Sequence, residues 1–308
     1  MMKKDQKRFN TNLLLLLAMQ VIVSLLYGFF DPATKGMLPQ LVSGEELTRA
    51  NAILASLRTL SGVLSPVIGA ALYTGLGIAA VFLINGISFL ISGSSSVLIR
   101  YQHTRREFKL QEKGFWTDLA AGAGFILGSR AIRRFCIFFL VIYALIQPVF
   151  AVVLPLFFRS SLHYTDTWYG YLQMAILLGA LLGSVLVGVV FGKEKEATPS
   201  LFIGCFLQIV TTTAFAILLF PRSLSLLGND TVLYFMLLAA VLSFLGAALM
   251  FVNVPVQTFI QKATPNEYMS RVFSIVGMIS KGGMPFGALI YGFALNSGIS
   301  ADFFLCLF

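Results

Sequence analysis

The 308-residue chain is 57% hydrophobic and only 11% charged, with a formal net charge of +9 and a mean hydropathy of +0.86. Soluble domains average roughly 45–50% apolar and about 25% charged residues, so this chain lacks the polar surface that a water-soluble fold needs. Soluble enzymes are excluded, and so is nucleic-acid binding: the 22 basic residues are scattered through short loops between apolar runs and make no basic face.

A bilayer core about 30 Å thick takes roughly 20 apolar residues in a helix, and a helix satisfies its backbone polar groups internally. The sequence therefore reads as an all-α polytopic transmembrane helix bundle of about eight full helices plus a partial one. Spans are expected at 13–31, 51–74, 78–99, 134–157, 168–191, 199–220, 231–255 and 270–295, with a short apolar stub at 301–308. The basic segment 1–10 leads into the first span with no small-residue cleavage site before Gly28, so that span is expected to stay. Cys136, Cys205 and Cys306 lie far apart in apolar runs without a CxxC pair. They read as small packing residues rather than a disulfide or metal site.

Basic residues set the orientation. Lys35 and Arg49, eight residues from Arg100 to Arg134, Lys193 and Lys195, and Lys262 and Arg271 fall in one set of alternate loops. The opposite set holds Arg159 and Arg222. Cytoplasmic loops retain Lys and Arg, so the first set faces the cytoplasm. Lys3, Lys4, Lys7 and Arg8 then fall on the other side, an exception that further helices ahead of Leu13 would remove.

The chain repeats itself at a shift of about 222 residues, as secondary transporters do. DPATKGMLPQLVSGEELTRANAILASLRTLSGVLSPVIGAALY (31–73) lies over VPVQTFIQKATPNEYMSRVFSIVGMISKGGMPFGALIYG (254–292). Pro32 falls on Pro255, Glu45 on Glu267, Arg49 on Arg271, and Arg58 within one residue of Lys281. Both copies run helix, cytoplasmic loop, helix, which makes the repeat parallel about an axis along the membrane normal.

These segments resemble the major facilitator superfamily, and within it the macrolide-efflux-like drug exporters. FFDPATKGMLPQLVSGEELTRANAI with SPVIGAALY is similar to that group's fourth and fifth helices. VQTFIQKATPNEYMSRVFSIVG with MPFGALIYG is similar to its tenth and eleventh, and FWTDLAAGAGFILGSRAIRRF (115–135) to the connector into its seventh. The resemblance implies an incomplete N-terminal bundle at 1–100, a cytoplasmic connector at 101–133 and a C-terminal bundle at 134–308 whose last helix is cut. It also implies a parent carrier that is longer at both ends.

Several residues stand out against this background. A charge inside a span is costly and usually faces a partner or a wet cavity, which points to Arg58 and Lys281 as substrate-pathway residues. Gln20, Asn85, Gln147, Gln173, Gln208, Asn253 and the aromatics Phe139, Tyr143 and Phe150 suit a cavity for a bulky amphipathic compound. Glu45 with Arg49, and Glu267 with Arg271, are spaced to share a face at a helix start, and are expected to help close the cytoplasmic side. Ser65, Pro66 and Gly69 resemble the superfamily's fifth-helix export motif, and Pro285 and Gly287 occupy the matching stretch of the second copy; such residues let helices meet closely and bend. Gly179, Gly183 and Gly188 form a further small-residue stripe, and Phe191-Gly-Lys-Glu-Lys195 reads as a cytoplasmic gating turn.

No HExxH, GxSxG or Walker loop is present, and His103 and His163 lie in separate loops. The chain is thus expected to be no enzyme, with no metal and no cofactor, and to draw energy from an ion gradient. No Asp or Glu falls in the middle of an expected span, which leaves the acid of a proton antiporter to a helix upstream. The expectation is a multi-pass protein of the bacterial plasma membrane, with the lipid bilayer, a small hydrophobic compound and a proton as partners. It would export drugs such as macrolides by alternating access and so confer antibiotic resistance. The alternatives are a non-transporting remnant of such a carrier, or an exporter of a siderophore or other metabolite.

Overall fold

A computed structural model describes residues 2–99, 115–193, 198–228 and 231–297. Among them the regular structure is helical throughout: α1 (Met2–Leu41), α2 (Leu47–Leu98), α3 (Phe115–Gly128), α4 (Arg130–Val141), α5 (Leu154–Ser160), α6 (Asp166–Val190), α7 (Thr198–Leu219), α8 (Pro221–Leu227), α9 (Val232–Ala263) and α10 (Asn266–Asn296). Two π-helical stretches, Ile142–Ile146 and Val149–Val153, join α4 to α5, so that Arg130–Ser160 is one long apolar rod. The stub expected at 301–308, together with Cys306, His103 and Lys195, lies outside the described residues.

Among the described residues, seven helices are long and apolar enough to cross a membrane. One is α2, whose 52 residues would measure about 78 Å as a straight helix, more than twice the hydrocarbon thickness. It is broken at Gly77, with φ 77° and ψ 171°, a backbone conformation that glycine alone adopts without strain. The break falls between the spans expected at 51–74 and 78–99, so α2 holds the length of two crossings and the expected eight are accounted for.

Two helices run further than the sequence suggests. α1 continues through Pro32 and Pro39 to Leu41, and α9 through Pro255 to Ala263. Proline removes a helical hydrogen bond, but in a membrane helix, hydroxyls and neighbouring helices take up the freed groups. Pro39 frees the Lys35 carbonyl, which accepts from Gln261 Nε2 of α9 at 3.0 Å, and Pro255 frees the Phe251 carbonyl, which accepts from Ser200 Oγ of α7 at 3.1 Å. The loops anticipated after residues 31 and 255 therefore shrink to the short turns between α1 and α2 and between α9 and α10. Lys35 and Lys262 belong to helices, and Asp31, the last residue of the span expected at 13–31, lies inside the apolar helix Leu13–Leu41 because that helix runs ten residues further.

Packing is concentrated in the later helices. Gly179 and Gly183 of α6 lie against Ser243 and Ala247 of α9, and Gly246 of α9 lies against Ile176 and Ala180 of α6. A Cβ on Gly179 would come within 1.8 Å of the Ser243 carbonyl oxygen, and one on Gly246 within 2.1 Å of that of Ile176, so the two backbones touch. In lipid, apolar surface gains little by leaving hydrocarbon for protein, and close backbone contact is what holds helices together. Around this seam Phe158, Leu172, Leu238 and Leu242 form the main buried cluster. A second joins α3 and α4 to α9 and α10 through Ile126, Ile132, Val256 and Met269. The first turns of α2 dock here too, with Ala52 buried among Val187, Phe191, Phe251 and Val254. Leu14 and Phe29 of α1, and Leu90 and Leu98 of α2, are exposed, as lipid-facing side chains are.

Candidate functional site

Four charged side chains meet along one stripe of α1. Tyr27, Asp31 and Lys35 recur every four residues and so share a helix face. Asp31 is 8% exposed, and its Oδ2 accepts from Lys35 Nζ at 2.8 Å. Its Oδ1 lies 3.6 Å from the Arg58 guanidinium of α2. One turn up the same stripe, Lys281 Nζ of α10 stands 4.1 Å from the centre of the Tyr27 ring, within cation–π range. Each cation inside a span costs about 2.5–3.5 kcal/mol on insertion scales, so a partner at each one is the expected compensation. Arg58 and Lys281, matched by the internal repeat, thus both end on α1.

A neutral bridge lies beside this cluster. Asn51 of α2 donates from Nδ2 to Thr258 Oγ1 at 3.0 Å and to Gln261 Oε1 at 2.6 Å, and its Oδ1 accepts from Gln257 Nε2 at 3.3 Å. Gln261 Nε2 in turn donates to the Lys35 carbonyl at 3.0 Å, and the Ser56 and Ser184 hydroxyls share a hydrogen bond of 2.8 Å. Asn51, Thr258 and Gln261 are all buried. Both amide hydrogens of Asn51 are used, and α9 supplies the partners because Gln257, Thr258 and Gln261 fall on one helical face. These bonds tie α1 and α2 to α6 and α9 near the ends that carry Lys35, Arg49, Lys193 and Lys262, the side that the basic-residue bias assigns to the cytoplasm.

The other residues singled out in the sequence are placed as follows. Gln173 bonds the Tyr169 hydroxyl within α6, and Tyr143 packs at a tilt against Phe139, ring centres 6.3 Å apart. Gln20, Asn85, Gln147 and Asn253 are exposed, and no hydrogen bond among the described residues joins them to each other. The Gln208 side-chain oxygen is buried without a partner. Ser65, Pro66 and Pro285 are exposed and nothing stands within 4 Å of a Cβ built on Gly69. Gly287 is buried, and its Cβ would come within 1.8 Å of the Ala144 carbonyl oxygen and 2.6 Å of Pro148, at the π-helical part of the rod.

Glu45 lies in the turn before α2, not on the helix with Arg49, because the helix starts only at Leu47. Arg49 packs its stem by Gly192, in the turn that follows α6. Glu267 and Arg271 do share the start of α10; Arg271 packs on Gly122 of α3, and its guanidinium lies 5.8 Å from the Tyr268 ring centre. Sequence reasoning missed Asp31 and the Asn51 bridge. Its one signal was the pair of glutamines in VQTFIQ, four apart in an apolar helix.

Comparison with known proteins gives the context. Macrolide efflux protein A of Streptococcus pyogenes is 22% identical over 283 residues, which cover 90% of this chain and 65% of the relative. The uncharacterized MFS-type transporter YvqJ of Bacillus subtilis is 26% identical over 285 residues, 91% of this chain and 64% of the relative. Macrolide efflux protein A of Enterococcus faecalis is 21% identical over 264 residues, 84% of this chain and 76% of that protein. The chain thus spans about two thirds of the length of the first two. No solved structure matches it. The helices and these bacterial relatives make it a multi-pass protein of the cell membrane, embedded in the lipid bilayer. The family model described as Major Facilitator Superfamily matches residues 9–288, nearly the whole chain, and together with the all-helical bundle this means that the chain belongs to that superfamily.

Proposed function

We propose that this chain is the membrane-spanning body of an exporter that moves an amphipathic, largely apolar compound out of the cytoplasm by alternating access, exchanging it for protons. The observation that carries the reading is the buried amide bridge from Asn51 to Gln257, Thr258 and Gln261. Hydrogen bonds between membrane helices are worth about 0.6 kcal/mol each on average, so a bridge of a few such bonds holds the cytoplasmic ends shut yet opens at little cost. Ion pairs in the same position would resist opening far more strongly in a low-dielectric surrounding. Asp31 supports proton exchange as a carboxylate buried inside α1, held by Lys35 and near Arg58.

On this reading 1–100 and 134–308 are two rocking units joined by 101–133. The macrolide efflux relatives support a macrolide-like antibiotic as one cargo. The test is accumulation of a macrolide and of a fluorescent dye in bacteria lacking other pumps. Cells carrying the chain are expected to accumulate several-fold less of one or both, and a protonophore or Asp31→Asn is expected to abolish the difference. Accumulation equal to that of cells without the chain overturns export and leaves a carrier remnant.

A further inference from the structure

The charges on the α1 stripe do not balance. Lys35, Arg58 and Lys281 bring three positive charges to a single carboxylate, Asp31, and no other described acidic side chain lies in the interior of a spanning helix. Lys35 takes one Asp31 oxygen at 2.8 Å, whereas Arg58 reaches the other only at 3.6 Å, longer than a hydrogen bond. The Arg58 side chain is 54% exposed, so most of its five-donor fork, shaped for a carboxylate, is unengaged. At Lys281 the Tyr27 ring face attracts the ammonium but neutralises none of its charge. Tyr27 and Asp31 are one turn apart, about 5–6 Å between their Cβ atoms, so the two cations stand at neighbouring heights of one helix. One comes from each copy of the repeat.

We propose that Arg58 and Lys281 together seat an anionic group, so that amphipathic organic acids, a carboxylate or sulfonate on an apolar body, are a second class of transported compound beside the macrolide-like one. A bound anion supplies the missing countercharge, and the Tyr27 ring beside Lys281 offers the apolar flank. This assignment of cargo class rests on the export reading above and names a second class of what is exported. It predicts selectivity by charge among compounds of equal size.

The probes are pyrenebutyrate, its neutral amide and the corresponding amine, presented to the full chain in nanodiscs and to cells loaded with each compound. The butyrate is expected to bind at least tenfold more tightly than the amide, and the amine least. Arg58→Gln and Lys281→Gln should each reduce that preference about tenfold, Arg58→Lys should restore part of it, and Lys281→Glu should shift preference toward the amine. Variants are compared only when their helicity by circular dichroism and their elution volume match those of the parent. If the butyrate and the amide bind equally, or if both glutamine variants keep the preference, the proposal falls and the two cations merely reach toward water. Butyrate binding without efflux from cells overturns export but keeps the anion seat. Efflux of butyrate and amide alike keeps export and overturns the seat.

Discussion

Asn51 is a small residue with a large share of the interhelical bonding, since its amide uses both hydrogens and one lone-pair side on partners more than 200 positions away. Asn51→Leu leaves Gln261 and Gln257 without their partner in a buried place, and is expected to loosen the cytoplasmic ends. A thiol placed by Ser184→Cys, at a buried site bonded to Ser56, should then react several-fold faster with a water-soluble maleimide applied from the cytoplasmic side. An unchanged rate would remove the bridge from the gate. Asp31→Asn removes the one countercharge of Lys35, and a lost partner of a buried charge or hydrogen bond costs about 1–3 kcal/mol. Lower thermal stability in detergent is expected, with partial recovery in Asp31→Asn/Lys35→Met. Arg58 and Lys281 were visible in the sequence because a charge in an apolar run stands out by itself. Asn51 was not, because a lone Asn near a helix start looks like any solvated end until its partners on α9 are known.

Among the helices, the α6–α9 seam and the Gly77 break were both written in local chemistry. Glycines four apart in an apolar helix announce close approach. Gly246→Leu would drive a side chain into the Ile176 carbonyl, and overpacking of this kind costs about 1–3 kcal/mol. Loss of a monodisperse elution peak, or a fall in midpoint temperature, would register it. Gly77→Val forces a branched residue to φ 77°, at a strain of order 1–3 kcal/mol, and is expected to cut the yield of folded protein while Gly75→Ala, in open space on α2, does not. The Ser65–Pro66–Gly69 motif marks the limit of such reading. It has the composition of a packing seam but faces no described neighbour, whereas Gly287 in the second copy lies tight against Ala144 and Pro148. Composition states that a backbone can be approached, not that another helix is there. The π-helical turns around Pro148 were equally illegible, since a proline tells of a lost donor and not of how the next turn widens.

The two copies of the repeat return in the architecture as α1, turn, α2 and α9, turn, α10, each with its proline inside the first helix. A like orientation would put both turns on one side. Thiols introduced by Ser43→Cys and Asn266→Cys, in a chain freed of its native cysteines, are expected to be labelled by an impermeant reagent only when the cytoplasmic face is open to it. Labelling from opposite faces would end the parallel relation and with it the proposed rocking.

The number of crossings and the family resemblance follow from hydropathy and internal similarity. Each is a property summed along the chain or matched within it, so no knowledge of contacts is required. The placing of the acid and of the bridge depended on folding. A proline in the sequence leaves open whether the helix ends there or continues, and the continuation past Pro32 is what puts Asp31 inside α1. The Asn51 bridge likewise exists only once α2 and α9 lie side by side, because a hydrogen bond requires two groups within about 3 Å of each other.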